Sequence, residues 1–140
     1  MKCIRVIAVC LLVLLLFAAC NSQHNTMNIA GKAFIYEKKG AGGDFIIYFG
    51  KDGTFNYYEG VLSSHIGMGT YTVDGDIVTM TGDKTSRIDP DTGNAESYER
   101  TFVFRIGADS ITFVADGSDN FIYVKVPDSG RFYLTEIGEE

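Results

Sequence analysis

The sequence predicts an all-β domain, and three observations support this. Turn residues separate short β-rich runs from about residue 30 onward, apolar side chains alternate within the runs, and no window is long enough for an amphipathic helix. Strands joined by tight turns are antiparallel neighbours, because a parallel pair needs a long crossover. We therefore predict an antiparallel meander of about eight or nine strands. It closes into a small up-and-down barrel or forms a curved half-barrel, with a two-sheet sandwich as the alternative.

Each predicted strand lies between turn signals. Asp52-Gly53 is the clearest of these, because Gly adopts positive φ readily and Asp suits the neighbouring turn position. Gly75 and Gly107 mark two further hairpins in the same way. The predicted strands are Lys32–Lys38, Asp44–Phe49, Thr54–Glu59, Met68–Val73, Ile77–Thr81, Tyr98–Ile106, Ser110–Ala115, Phe121–Val126 and Arg131–Ile137.

Alternation along these strands predicts which face is buried. Successive side chains of a strand point to opposite faces, so residues two apart share a face. The predicted core positions are Phe45, Ile47, Phe49, Phe102, Phe104, Ile106, Ile111 and Phe113.

One segment, Gly82 to Ser97, is polar and longer than a tight turn requires. It is either a solvated connection or a long hairpin arm with Asp89-Pro90-Asp91-Thr92-Gly93 at its tip. Projecting loops commonly meet partners, so Asp89, Asp91 and Asn94 are the candidate partner-contact residues.

The predicted domain shows no recognisable catalytic or metal-binding pattern. His65 is its one histidine and has no nucleophile-elbow pattern around it, so we interpret it as a loop residue. Glu59 is interpreted as a solvated surface charge, like the other glutamates. Asp89 and Asp91 lack the remaining ligands of an EF-hand loop, and a zinc site needs Cys or several His. The sequence thus predicts a non-enzymatic protein without metal or cofactor.

The N-terminus has the layout of a secretory signal, with Lys2 and Arg5 before an almost wholly aliphatic run from Val6 to Phe17. The run Leu16-Phe17-Ala18-Ala19-Cys20 resembles the lipobox of bacterial lipoproteins. The resemblance implies cleavage before Cys20, lipidation of that cysteine and attachment to the cell membrane or outer membrane, facing its extracytoplasmic side. The implied organisation is a signal peptide over 1–19, a lipidated tether over 20–29 and a β domain over 30–140.

Charge narrows the range of partners. Loss of residues 1–19 removes Lys2 and Arg5 and no acidic residue, so the formal charge changes from -6 to -8. An acidic domain is repelled by nucleic acid and by anionic lipid headgroups. The lipid on Cys20 is therefore the expected membrane contact, and no nucleic-acid partner is expected.

Three short runs of the predicted domain carry a second family resemblance. The runs Asp52-Gly53-Thr54-Phe55, Gly69-Thr70-Tyr71-Thr72-Val73 and Asp76-Ile77-Val78-Thr79-Met80-Thr81 resemble those of small lipocalin-like domains of bacterial lipoproteins. The chain has no Trp and so lacks the Gly-x-Trp signature of true lipocalins. Our leading interpretation is a lipid-anchored protein whose β domain serves binding or envelope interaction. The alternative is a carrier of a small apolar ligand.

Overall fold

The computed structural model describes residues 26–38, 43–60, 65–88, 91 and 93–136, with side chains described except at 85–88. Eight antiparallel strands follow one another around a closed barrel, and β8 pairs with β1 to complete it. The predicted all-β meander and its closure into a barrel are confirmed. The strands are β1 Lys32–Tyr36, β2 Ile46–Phe49, β3 Thr54–Tyr58, β4 Ile66–Asp74, β5 Ile77–Ile88, β6 Ala95–Ile106, β7 Ser110–Val114 and β8 Arg131–Thr135.

The barrel has two different ends. The short turns β2–β3, β4–β5 and β6–β7 lie at one end, where the chain also enters β1 and leaves β8; we call it the turn end. The longer connections, including the hairpin between β5 and β6, lie at the opposite end, which we call the arm end. This separation follows from the up-and-down order, because alternate connections of a meander lie at opposite ends.

Aromatic rings fill the described interior of the barrel. Phe102 and Phe121 stack with their centroids 4.2 Å apart, and Phe45 contacts Phe132 edge-on at 5.0 Å. Edge-to-face and offset contacts of this kind add to the stabilisation from burial. All the predicted core positions are buried. Further fully buried rings are Phe34, Phe55, Tyr57 and Phe132.

The predicted strand Phe121–Val126 is wrong. The segment belongs to an irregular loop, residues 115–130, that crosses the arm end; we call it the closing loop. Phe121 and Val126 are buried, as an alternating pattern predicts, but the amides of residues 122–124 bond to the carboxylate of Glu59 instead of a neighbouring strand. A side chain thus provides the hydrogen bonds that a strand would take from a ladder.

The polar segment from Gly82 to Ser97 forms a long hairpin arm. β5 continues to Ile88 and β6 begins at Ala95, and their ladder runs outward to the Ile88–Ala95 pair. The hairpin alternative is therefore confirmed. The strands are longer than the hydrophobic pattern predicts because a two-stranded ribbon outside the barrel has no core face and needs no apolar alternation.

Candidate functional site

The barrel wall opens between β4 and β5 near the arm end. Their ladder runs from Asp74–Ile77 to Gly69–Gly82 and stops there. Beyond that point the first residues of β4, Ile66 to Met68, pair with β3, whereas the rest of β5 follows β6 into the arm. The two strands therefore diverge, and a cleft of about 520 Å³ lies between them.

Glycines allow the close approach at the apex of this cleft. A Cβ on Gly69 would lie 2.3 Å from the carbonyl oxygen of Thr81, and one on Gly67 would lie 2.1 Å from the Tyr57 ring. Gly82 has φ +153, a conformation that L side chains rarely adopt. Glycine at 69 and 82 lets the backbones of β4 and β5 meet before they separate, and Gly67 leaves room for the Tyr57 ring of β3.

A β-bulge turns β5 away from β4. The β5–β6 register shifts between Gly82 and Lys84, and the intervening Asp83 has φ 50. Positive φ is uncommon outside glycine, although Asp tolerates it better than most residues. A bulge bends its strand and increases the local twist, so this one directs the arm away from the barrel wall.

The carboxylate of Asp83 is buried among three polar side chains. It accepts a 2.5 Å hydrogen bond from the Tyr57 hydroxyl, lies 2.7 Å from His65 Nε2 and lies 2.9 Å from Arg100 Nη2. Arg100 Nη1 also donates to the carbonyl of Asn120 in the closing loop, at 3.2 Å. Tyr57 belongs to β3, His65 lies just before β4, and Arg100 belongs to β6. The contacts of Asp83 with these three side chains therefore hold the bulge in a fixed position.

The charges in this cluster affect the Tyr57 hydroxyl. Burial raises the pKa of Tyr57 well above its ordinary value, and the hydrogen bond to Asp83 raises it further because a tyrosinate could not donate that bond. The opposite charge of Arg100 lowers this pKa but does not outweigh the first two effects. Tyr57 is therefore a hydrogen-bond donor at neutral pH, and its role near the cleft is to hold Asp83 in place.

Glu59, which the sequence analysis interprets as a solvated charge, is buried instead. Its Oε1 accepts from the Ile122 amide at 3.0 Å, and its Oε2 accepts from the Tyr123 and Val124 amides at 2.7 Å each. Three charge-assisted bonds offset the cost of burying the carboxylate. Glu59 thus holds the closing loop across the arm end, where Phe121 packs against the core.

The walls of the cleft differ in chemistry. Ile66 and Met68 form an apolar side on β4, where they are 54% and 61% exposed. Lys84 and Glu99 form the opposite, charged side, with their charged groups 3.7 Å apart. His65 lies in the wall beside Asp83, with 27% of its side chain exposed. The cleft therefore offers apolar contact and charge side by side.

The predicted site residues lie in different places. Cys20 and Asp89 lie outside the described residues. Asp91 and Asn94 are exposed beside the tip of the arm. His65 follows a connection, as predicted, but it contacts the buried Asp83. No group of three or more His, Cys, Asp or Glu suited to a metal occurs within the described ranges.

Three features of the site were not predicted from the sequence: Asp83, Arg100 and the burial of Glu59. Two of them carry a signal, because Arg100 continues the inward face of Phe102 and Phe104, and Glu59 continues that of Phe55 and Tyr57. A charged residue that extends an apolar alternation points to a buried, partnered charge. Asp83 carries no such signal, since its inward position depends on the bulge.

Comparisons of this chain with known proteins give no match. In the part of the chain that the structure describes, no helix has the length and apolar character needed to cross a membrane. Searches against protein-family models, curated proteins and solved structures find no match.

Proposed function

We propose that this protein is a lipid-anchored, extracytoplasmic binding protein whose filled barrel supports a binding surface at the arm end. One observation carries the proposal: the chain enters the barrel at the turn end, whereas the cleft, the arm and the closing loop lie at or toward the opposite end. A tether attached upstream of β1 therefore draws the turn end toward the membrane and leaves the arm end available to partners.

The lipobox-like run ending at Cys20 supports the anchor. Two or three acyl chains attach a protein stably, since each buried methylene contributes about 0.8 kcal/mol. Cys20 precedes the start of β1 at Lys32 by twelve residues. At about 3.5 Å per extended residue, the turn end lies within about 40 Å of the bilayer.

Exposed apolar side chains support a binding surface at the arm end. The described residues that present large apolar side chains there are Ile66, Met68, Tyr98, Ile122 and Tyr123. Exposed apolar groups that lie together commonly mark sites of protein contact. By contrast, a carrier needs internal space, and aromatic rings occupy the interior. This contrast favours binding outside the barrel over carriage within it.

The anchor is tested with the full chain expressed in a bacterium that processes lipoproteins. Cys20→Ser is expected to abolish incorporation of labelled fatty acid and to release the protein from membranes. Cys10→Ser is the matched control, because Cys10 lies within the predicted signal and leaves with it. Membrane fractionation of Cys20→Ser that equals that of the unchanged protein would contradict the proposal.

The binding surface is tested by position-specific photo-crosslinking in intact cells. A photoreactive residue at Met68 or Tyr123 is expected to give the same discrete adduct. The same residue at Leu134, which is 43% exposed on β8, is expected to give none. Adducts of equal yield at all three positions, or at Leu134 alone, would remove the arm end as the binding surface.

A further inference from the structure

The arm has one strand edge without a described partner. β6 covers one edge of β5 out to Ile88, but the ladder on the other edge ends at Gly82, where β4 departs. Among the described residues, no backbone hydrogen bond reaches the other edge of β5 from Lys84 to Ile88. A row of open N–H and C=O groups is a template for another strand.

We propose that the free edge of β5 binds an extended, cationic peptide segment of a partner protein by strand addition, with side chains of that segment seated in the adjoining cleft. The inference rests on the proposed function, because it names the class of partner that the arm end binds. Backbone hydrogen bonds supply the affinity in such complexes, and pockets for alternate side chains supply the specificity.

The dimensions of the cleft match an extended segment. Five residues from Lys84 to Ile88 offer an edge about 16 Å long, at about 3.3 Å per residue. Ile66 and Met68 are two residues apart on one face of β4, so they repeat at the spacing of alternate side chains in an extended peptide. An added strand would thus place every second side chain against this apolar wall.

Charge favours a cationic segment over a second copy of this chain. The protein carries a formal charge of -8 once the predicted signal is removed, so two copies repel each other. The charged side chains that line the cleft are Asp83, Lys84 and Glu99, so its lining holds two carboxylates and one ammonium group. Electrostatic attraction therefore selects a positively charged partner.

Among the described residues, β4 is the strand that could cover this edge, and the fold directs β5 away from it. Asp83 is held by Tyr57, His65 and Arg100, which fixes the bulge and the outward course of β5. The edge is thereby presented in the extended form that an added strand requires, and binding costs little ordering of the arm.

The test uses the full lipidated protein in detergent micelles and a synthetic octapeptide of alternating Lys and Val. We expect the peptide to slow amide hydrogen exchange of Lys84–Ile88 about tenfold. A peptide N-methylated at alternate residues lacks the amides along one edge, so it is expected to lose this protection. An octapeptide of alternating Glu and Val is expected to bind at least about tenfold more weakly.

Two exposed residues of β4 give matched variants. Met68→Lys places a cation on the cleft wall, and we expect it to weaken binding of the Lys-Val peptide about tenfold. Val73→Lys makes the same charge change at a position 48% exposed and away from the cleft, and we expect an effect of less than about twofold.

Three results would overturn strand addition: unchanged exchange at Lys84–Ile88, equal protection by the Glu-Val peptide, or the same protection from the protein alone as its concentration rises. The last would identify a second copy as the occupant. Failure of strand addition is distinguishable from failure of the proposed function, because release by Cys20→Ser and the crosslinking pattern are measured independently.

Discussion

Gly69 of β4 and Gly82 of β5 face each other across the barrel wall with no room for a side chain between them. A Cβ on Gly82 would lie 2.5 Å from the Cα of Gly69, and a Cβ on Gly69 would lie 2.7 Å from the Cα of Gly82. The pair is the last rung of the β4–β5 ladder. This contact fixes the point where the two strands separate and the cleft begins.

Gly69→Ala is expected to lower the free energy of unfolding by about 3 kcal/mol, because the new methyl group meets backbone that cannot move aside. Gly75→Ala is the control: it introduces the same methyl group in open space at φ +60, and we expect a loss of about 1 kcal/mol. Urea denaturation measures both. A loss for Gly69→Ala no larger than that for Gly75→Ala would show that the close approach is not a constraint.

Glu59→Gln is expected to lower the free energy of unfolding by about 2–3 kcal/mol, because charge-assisted bonds are lost and the amide group presents a donor to backbone N–H groups. Amide exchange of residues 122–124 is expected to accelerate along with it. Glu99→Gln removes an equal charge from a side chain 51% exposed, and its expected effect is below about 0.5 kcal/mol. Equal effects of the two variants would deny Glu59 its role in holding the closing loop.

Because of Tyr57, the free energy of unfolding is expected to depend on pH in the alkaline range. Its pKa in the folded protein lies above the ordinary value of 10.0, so the folded state keeps a proton that the unfolded chain releases. The contribution of the Tyr57 hydroxyl to the free energy of unfolding is fully present below pH 10 and declines as the pH rises above it. For this group, the free energy of unfolding is expected to fall by about 1.4 kcal/mol per pH unit above that point.

Tyr57→Phe removes this ionisation. Chemical denaturation at several pH values above 10 is expected to show a free energy of unfolding that falls less steeply with pH than in the unchanged protein, by the amount that one proton contributes. The variant is also expected to be less stable at neutral pH, because Asp83 loses a hydrogen-bond donor. Tyr123→Phe, at a side chain 60% exposed, is the comparison and is expected to leave neutral-pH stability nearly unchanged. An unaltered alkaline slope in Tyr57→Phe would contradict the raised pKa.

Phe102→Ala is expected to lower the free energy of unfolding by about 3–5 kcal/mol, because the ring is fully buried and stacks on Phe121. The same variant tests whether the interior is filled. The unchanged protein is expected to take up no small apolar dye, whereas the variant gains a cavity that binds one. Stoichiometric uptake of dye into the interior of the unchanged protein would instead revive the carrier alternative.

Much of the fold follows from local pattern. The dipeptide Asp52-Gly53 and the alternation around Phe102 are sufficient to predict hairpins and inward faces, because turn chemistry and side-chain period are properties of neighbouring residues. Phe121 shows the limit. Its segment alternates like a strand, but whether such a segment pairs with a strand or with a carboxylate depends on Glu59, which lies 62 residues earlier in the sequence.

The candidate site was less predictable, for a related physical reason. The cleft exists because β5 leaves β4 at a bulge, and the bulge depends on contacts between Asp83 and three side chains that are distant in sequence. The arm was predictable as an alternative, since its polar composition and turn residues suit an exposed ribbon. The edge of β5 that has no described partner follows from the register of the β4–β5 ladder, which composition does not encode.

Under the proposed function, a lipid on Cys20 would hold the turn end toward the membrane and leave the arm end facing away. Amide NMR of the full lipidated protein in vesicles containing nitroxide-labelled headgroups tests it directly, because paramagnetic broadening falls steeply with distance. We predict strong broadening for the turn-end residues Asp52 and Gly75, and little for the arm-end residues Asp91 and Tyr123. Equal or stronger broadening at Asp91 and Tyr123 would contradict the account.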